Sequence, residues 1–173
     1  MDDDRLREAL SLLRRGDAAA FEQIYAELST PLFTVILRVT RDRELSEDIL
    51  QEVFLKLYRS PPGPDITRPR AYLFQSARNL ALDALRRRTD TLDLDSLPEL
   101  PHPIGDGTDQ RLDLERAFAA LSCEERELVS LHLNGGLTFR EITRITGTPL
   151  GTVLWRYRRA IEKLRILLNG GSL

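Results

Sequence analysis

A run of polar and basic side chains along residues 70–88 has the chemistry needed to bind a polyanion. The stretch reads RAYLFQSARNLALDALRRR, in which Asp83 is the one acid and three consecutive arginines come last. Amide side chains can recognise the edges of bases, and guanidinium groups bind phosphates. At 100° per residue, polar and apolar residues fall on opposite faces of a helix. The polar face comprises Gln75, Arg78, Asn79, Leu82, Asp83 and Arg86, and the apolar face comprises Leu73, Ala77, Leu80, Ala81 and Ala84.

The net charge of −2 conceals a segregation of charge along the chain. Residues 66–88 carry six basic side chains and one acidic one, and residues 121–173 carry eight basic and five acidic. Residues 1–65 carry nine basic and thirteen acidic side chains, and residues 89–120 carry two basic and eight acidic. The two basic segments are therefore candidate polyanion contacts, and a solvated helix face is the alternative for each.

The elements that must position these residues are helices. In the first half, Gly16 ends one helix and Asp17 is placed to cap the next. Pro31 suits the first turn of a further helix, so a new helix is predicted to begin there. Ser46 is predicted near the N-cap of the helix LSEDILQEVFLKLYRS, and PPGPD then breaks the chain.

The second half has the pattern of a helix-turn-helix. Two capping boxes are predicted, at Ser122 with Glu125 and at Thr138 with Glu141. Gly147 ends a short helix, and a longer basic helix follows it, which is the helix-turn-helix arrangement. The buried stripe of that last helix is predicted to comprise Leu150, Val153, Tyr157, Ile161, Leu164 and Leu168.

We therefore predict an all-α fold with two small helical domains, residues 1–90 and 112–173. Residues 91–111 are acidic and rich in proline and glycine, so a flexible linker is predicted there. No run of about 18 apolar residues exists, which predicts no membrane insertion. The acidic start does not have the pattern of a signal peptide, and a lone cysteine fits a reducing, cytoplasmic location.

The residues available for catalysis are few. His102 lies in the predicted linker, and His132 lies on a helix without a patterned cysteine or carboxylate partner. Cys123 at a helix start is best explained as a plain thiol. There is no Gly-rich phosphate loop. The sequence thus predicts a protein that is not an enzyme, with no metal site and no cofactor.

Three stretches in a fixed order carry a resemblance to a known family. They are SEDILQEVFLKLY, RAYLFQSARNLALDALRRR and LSCEERELVSLHLNGGLTFREITRITGTPLGTVLWRYRRAIEKLRILL. Together they resemble the extracytoplasmic-function (ECF) group of bacterial sigma factors. The resemblance implies a region 2 helical bundle, a variable linker and a region 4 helix-turn-helix. It also implies a factor that binds RNA polymerase core and directs transcription initiation by recognising and melting promoter DNA.

The resemblance also implies a role for particular residues. Those implied to bind polymerase core are Asp48, Gln51, Glu52, Leu55 and Arg59. Those implied to bind single-stranded promoter DNA are Tyr72, Gln75, Arg78, Asn79, Asp83, Arg86, Arg87 and Arg88. Those implied to bind duplex DNA are Arg140, Arg144, Thr152, Trp155, Arg156 and Arg159. By the same analogy the loop PPGPDITRP would cradle a flipped-out base, with a plain connector as the alternative.

Alternatives stay open for the role of Trp155 and for the function of the whole chain. The indole could contact a thymine methyl group, lie beneath an arginine, or belong to a surface that an anti-sigma factor masks. A free-standing helix-turn-helix regulator is the first rival for the whole chain and would bind a palindromic site by itself. A helical adaptor that binds only proteins is the second, and its affinity would not depend steeply on salt.

Overall fold

The computed structural model describes residues 1–91 and 109–169, and in these ranges it contains eight helices and no strand. The chain divides into two compact units, Met1–Thr91 and Leu92–Leu173. The predicted all-α fold is confirmed for the described residues. Most of the predicted linker, including His102, lies outside them, and both ends of the span 91–111 are helical. The helices are α1 (Asp3–Arg14), α2 (Ala18–Thr40), α3 (Arg43–Arg59), α4 (Pro69–Thr91), α5 (Asp109–Ala119), α6 (Cys123–Leu133), α7 (Phe139–Thr146) and α8 (Leu150–Asn169).

Helix α2 continues through Pro31, so the prediction of a new helix beginning there was wrong. A proline inside a helix removes one main-chain hydrogen bond and costs about 3 kcal/mol. However, a single buried stripe runs past it, with Ile24 and Leu28 before the proline and Leu32 and Val35 after it. Burying one such side chain is worth about 1.5–3 kcal/mol. The stripe therefore outweighs the proline and keeps the helix in one piece against α1, α3 and α4.

Helix α3 begins one turn earlier than predicted, because its N-cap is Asp42 and not Ser46. The Asp42 carboxylate accepts a hydrogen bond of 2.9 Å from the Leu45 amide. Ser46 is instead fully buried, and its hydroxyl lies 2.7 Å from that of Thr40 at the end of α2. Two residues join α2 to α3, and the first of them, Arg41, has a φ of 57° in the left-handed region.

In the second unit both predicted capping boxes are present, at Ser122 and at Thr138. Gly147 ends α7, as the sequence predicted, and its φ is 69°. The predicted stripe of α8 was wrong at its two ends, since Leu150 and Leu168 are exposed. They lie in the first and last turns, beyond the buried part of α8. One cluster of the core is built from Ala117, Phe118, Leu121, Val129, Ala160 and Leu164, with Tyr157 and Ile161 packed against it.

None of the described helices combines the length and the apolar character that a membrane crossing requires.

Candidate nucleic-acid interface

Helix α4 presents the polar face that its sequence predicted. The apolar residues Leu73, Ala77 and Ala81 are buried, and so is Phe74. This anchoring turns the opposite face outward, and most of the predicted single-strand contacts lie there. Arg78 is half-buried. The exposed members of that set are Tyr72, Gln75, Asn79, Asp83, Arg86, Arg87 and Arg88.

The arginines at the end of α4 differ in their partners. Arg86 Nη1 lies 3.4 Å from the Asp83 carboxylate on the same helix. Arg88 Nη1 lies 2.6 Å from Oδ2 of Asp42, the N-cap of α3. The Asp42 pKa is lowered, first by the hydrogen bond from the Leu45 amide and then by Arg88. Arg88 therefore braces the end of α4 against the beginning of α3.

A cavity of about 290 Å³ lies between α3 and α4. Tyr72 from the predicted single-strand set lines it together with Arg59, which the sequence had assigned to polymerase binding. Three further polar residues of the cavity, Lys56, Ser60 and Ser76, were not predicted. Ser76 follows Tyr72 by one helical turn, and this spacing could have indicated that both side chains lie on the same side of α4. The cavity is lined by Val53, Lys56, Leu57, Arg59, Ser60, Tyr72, Leu73, Ser76 and Leu80.

The loop that leads from α3 into α4 is held by α1. Arg7 donates from Nε to the Ile66 carbonyl at 3.2 Å and from Nη2 to the Thr67 carbonyl at 3.1 Å. Arg14 donates to the Pro62 carbonyl. These contacts join residues far apart in the sequence, so no local pattern indicated them.

The exposed side of α3 carries all five predicted polymerase contacts, Asp48, Gln51, Glu52, Leu55 and Arg59. Leu55 is 50% exposed, but it is not an isolated surface leucine. It lies beside aromatic side chains from α2 and α3, two of which, Tyr25 and Tyr58, are also exposed. The rings of Tyr25 and Phe54 are 4.7 Å apart, and those of Phe21 and Tyr58 are 5.2 Å apart. We call the set Phe21, Tyr25, Phe54, Leu55 and Tyr58 the aromatic patch.

Helices α7 and α8 form the helix-turn-helix. Arg140 and Arg144 are exposed on α7. On α8, Thr152 and Arg156 are half-buried, while Trp155 is 57% exposed. The predicted duplex contacts thus all reach the surface of this unit.

Arg159 on α8 is held in place by two neighbours. Its Nε lies 3.6 Å from the Glu125 carboxylate, and its guanidinium lies 5.3 Å from the centre of the Trp155 ring. Of the alternatives for Trp155, packing beneath an arginine is therefore observed. Glu125 is 4% exposed and accepts hydrogen bonds of 2.9 and 2.7 Å from Lys163 Nζ. Burial raises the Glu125 pKa, but Lys163, Ser122 and Arg159 outweigh it, so the pKa is lowered overall.

His132 has a packing role in the second unit. Its ring stacks on Phe139 at 4.3 Å and meets Tyr157 edge-on at 5.0 Å, and Nδ1 lies 2.8 Å from the Leu137 carbonyl. Cys123 is exposed. Within residues 1–91 and 109–169, no three histidine, cysteine or acidic side chains are grouped to hold a metal ion.

Both units match family models. Residues 24–91 match the model described as Sigma-70 region 2, and residues 117–165 match Sigma-70, region 4. The first unit has four helices and a basic helix face, and the second contains a helix-turn-helix. Because each unit matches its own sigma-70 region, the protein belongs to the class of the sigma factors.

Curated relatives narrow the class to one group. The ECF RNA polymerase sigma factor SigL of Mycobacterium tuberculosis is 32% identical over 163 residues, which cover 89% of this chain and 92% of SigL. The ECF RNA polymerase sigma factor SigK of Mycobacterium ulcerans is 28% identical over 177 residues, covering 96% of this chain and 95% of SigK. The chain belongs to the ECF RNA polymerase sigma factors.

Solved structures share the fold. The sigma factor RpoE of Bartonella quintana, crystallised with the anti-sigma factor NepR, matches 86% of this chain and 96% of its own, with a TM-score of 0.65 and 24% identity. CnrH, solved in complex with the cytosolic domain of CnrY, matches 97% of this chain and 99% of its own, with a TM-score of 0.66 and 21% identity.

Membership of this family confirms the function that the sequence predicted. The protein is a promoter-specificity factor that binds RNA polymerase core and promoter DNA in transcription initiation, and it is not an enzyme. The free-standing regulator and the protein-only adaptor are set aside.

Proposed function

We propose that three surfaces divide the work of this sigma factor. The aromatic patch and the exposed side of α3 contact polymerase core, and the exposed face of α4 with its cavity holds single-stranded promoter DNA. Helix α8 reads the upstream duplex. The observation that carries this proposal is that Tyr72, on the exposed face of α4, also lines the cavity between α3 and α4.

The single-strand site combines the three features that unstacked DNA requires. Tyr72 offers a flat ring at the cavity rim, and stacking of a base on such a ring is worth about 1–3 kcal/mol. Ser60 and Ser76 supply hydroxyl groups that can bond a base edge inside the cavity. Arg86 and Arg87 supply charge for phosphates. Arg88 acts as a brace, so its share in DNA binding is secondary.

The polymerase-binding surface has an apolar centre and a polar rim. Interfaces draw most of their affinity from a few aromatic and apolar side chains surrounded by polar ones. Leu55 and Tyr58 supply the centre, while Asp48, Gln51 and Glu52 lie on the same helix as the rim. Arg59 contributes to the cavity as well as to this side of α3.

The duplex-binding surface lies on the helix-turn-helix. Under this proposal Arg156 and Thr152 on α8 enter the major groove, where arginine is the commonest reader of guanine. Arg140 and Arg144 on α7 contact the phosphate backbone in the same proposal. Arg159 reaches the DNA from a fixed position, since Trp155 and Glu125 already hold it.

A cytoplasmic location is part of the proposal, because RNA polymerase works there. An anti-sigma factor is a further proposed partner. Its support is that both structural relatives described above were solved as complexes, and that of RpoE holds an anti-sigma factor.

The proposal is tested by reversing charge on the face of α4 without touching the brace. In the holoenzyme, Arg86→Glu with Arg87→Glu is expected to abolish promoter melting, followed by permanganate reactivity of unpaired thymines, and to leave core affinity unchanged. Arg15→Glu with Arg116→Glu makes the same change of charge on exposed residues outside the three surfaces and serves as the control. Loss of core binding in the α4 variant, or normal melting by it, would count against the assignment.

A further inference from the structure

Helix α1 holds both ends of the loop between α3 and α4, residues 61–68. Near its start the Pro62 carbonyl accepts a hydrogen bond from Arg14. Near its end the carbonyls of Ile66 and Thr67 accept hydrogen bonds from Nε and Nη2, which lie along one edge of the Arg7 guanidinium, at 3.2 and 3.1 Å. Two arginines on the same face of α1, two turns apart, thus fix three main-chain carbonyls of one loop.

The loop needs donors from outside because of its composition. Prolines occupy positions 61, 62 and 64, and a proline has no N–H to donate. Within the loop, the Ile66 amide bonds the Gly63 carbonyl at a long 3.3 Å. The guanidinium groups of α1 supply what the loop's own backbone lacks.

Acidic residues of α1 hold both the Arg7 guanidinium, called the fork below, and the end of the loop. Arg7 Nη1 lies 2.6 Å from Asp4 on the same helix, which orients the fork. Asp3 accepts a hydrogen bond of 3.0 Å from the Arg70 amide and lies 3.7 Å from the Arg68 guanidinium. Helix α1 therefore contacts the loop and the first turn of α4 as one body.

We infer that Arg7 and Arg14 are positioning residues for the single-stranded DNA site. The inference rests on the proposed function of α4. The loop follows Ser60, which lines the cavity, and it leads into the helix that carries Tyr72. A loop ordered during folding does not have to be ordered again when DNA binds, which favours both affinity and selectivity.

The family match does not account for this role. The segment that matches Sigma-70 region 2 begins at residue 24, so α1 lies ahead of it. The contribution of α1 comes from the contacts described above and from this chain's own residues.

The test measures base selectivity of the holoenzyme. Wild-type and variant holoenzymes capture DNA from a pool of single-stranded oligonucleotides with a randomised segment, and the captured DNA is sequenced. The variants are Arg7→Met, Arg14→Met and the double variant. Arg15→Met is the matched control, since Arg15 follows Arg14 and its side chain is exposed. Core affinity and thermal unfolding are measured in parallel.

The wild-type protein is expected to enrich a motif. The double variant should lose about tenfold in preference at the most selective position, with core affinity within twofold of the wild type. Arg7→Lys keeps the positive charge but cannot bond both carbonyls at once. Its base selectivity should therefore fall between that of the wild type and that of the double variant, while its thermal stability stays close to that of the wild type.

Three results would overturn the inference or its basis. Wild-type selectivity in both the double variant and Arg7→Lys overturns the inference and leaves the proposed function standing. Equal losses of core affinity and base selectivity reduce both arginines to a structural role and also overturn it. Failure of the wild-type holoenzyme to enrich any motif refutes the proposed single-strand site itself.

Discussion

Replacing Glu125 with glutamine isolates the charge that joins α6 to α8. The amide keeps the size of the side chain and an oxygen for the Ser122 amide, which donates at 3.0 Å. It loses the negative charge that Lys163 contacts at 2.7 and 2.9 Å. The perturbation therefore leaves the helix cap in place and removes the ion pair.

The expected loss of stability follows from the burial of Glu125 and the partial exposure of Lys163. A hydrogen bond to a charged group contributes about 1.5–3 kcal/mol. The Lys163 side chain is 34% exposed, so its ammonium group regains part of its hydration when the partner is lost. We therefore expect Glu125→Gln to lower the free energy of unfolding of the second unit by about 2 kcal/mol, towards the lower half of that range.

The chain provides its own probe for this measurement. Trp155 is the single tryptophan and lies on α8, so its fluorescence during urea unfolding follows the second unit. For a small unit, a loss of about 2 kcal/mol shifts the midpoint by about 1–2 M urea. Glu162→Gln is the matched control: Glu162 pairs with Arg165 in an exposed position on the same helix. Such a pair is worth at most about 1 kcal/mol.

The pH dependence gives a second check on the same ion pair. The Glu125 pKa is lowered from its ordinary value of 4.5, so the carboxylate stabilises the fold above that pH. The stability gap between wild type and Glu125→Gln should be full near neutral pH and shrink as the pH falls through the folded-state pKa. A variant no less stable than Glu162→Gln, or a gap that widens in acid, would refute the reasoning.

Two further changes test the first unit. Arg88→Met should weaken both core binding and promoter melting, because Arg88 braces Asp42 at the start of α3, whereas Arg86→Met should weaken melting alone. Competition for core measures the first effect and permanganate reactivity the second, and equal behaviour of the two variants would contradict the separate role of Arg88. Pro31→Ala should remove the cost of an interior proline in α2 and raise the free energy of unfolding by up to about 3 kcal/mol, measured by circular dichroism in urea. A loss of stability would show that the proline itself is required.

The sequence could predict those features that depend on neighbours within one helical turn. The capping boxes at Ser122 and Thr138 and the end of α7 at Gly147 are of this kind, and all three are confirmed. The buried side of α4 also follows from a periodicity within one helix. The family resemblance rested on such local patterns, which is why fold and function were predicted together.

Features that depend on distant packing were beyond the sequence. The continuity of α2 through Pro31 is decided by the helices around it, and the neighbours of Leu55 include Tyr25 from another helix. The hydrogen bond between Arg7 and Ile66 joins residues 59 positions apart. The residues assigned to polymerase and DNA stay predictions, because partner contacts are not encoded in helix periodicity.

The two-residue connection between α2 and α3 has a consequence for the kinetics of assembly. The aromatic patch draws its residues from both helices, and the buried contact between Thr40 and Ser46 closes the corner that joins them. Such a surface has little freedom to lose on association, so little entropy opposes its docking. Under the proposed assignment, the encounter with polymerase core proceeds as the meeting of a preformed surface with its partner, without a slow rearrangement of the sigma factor on that side.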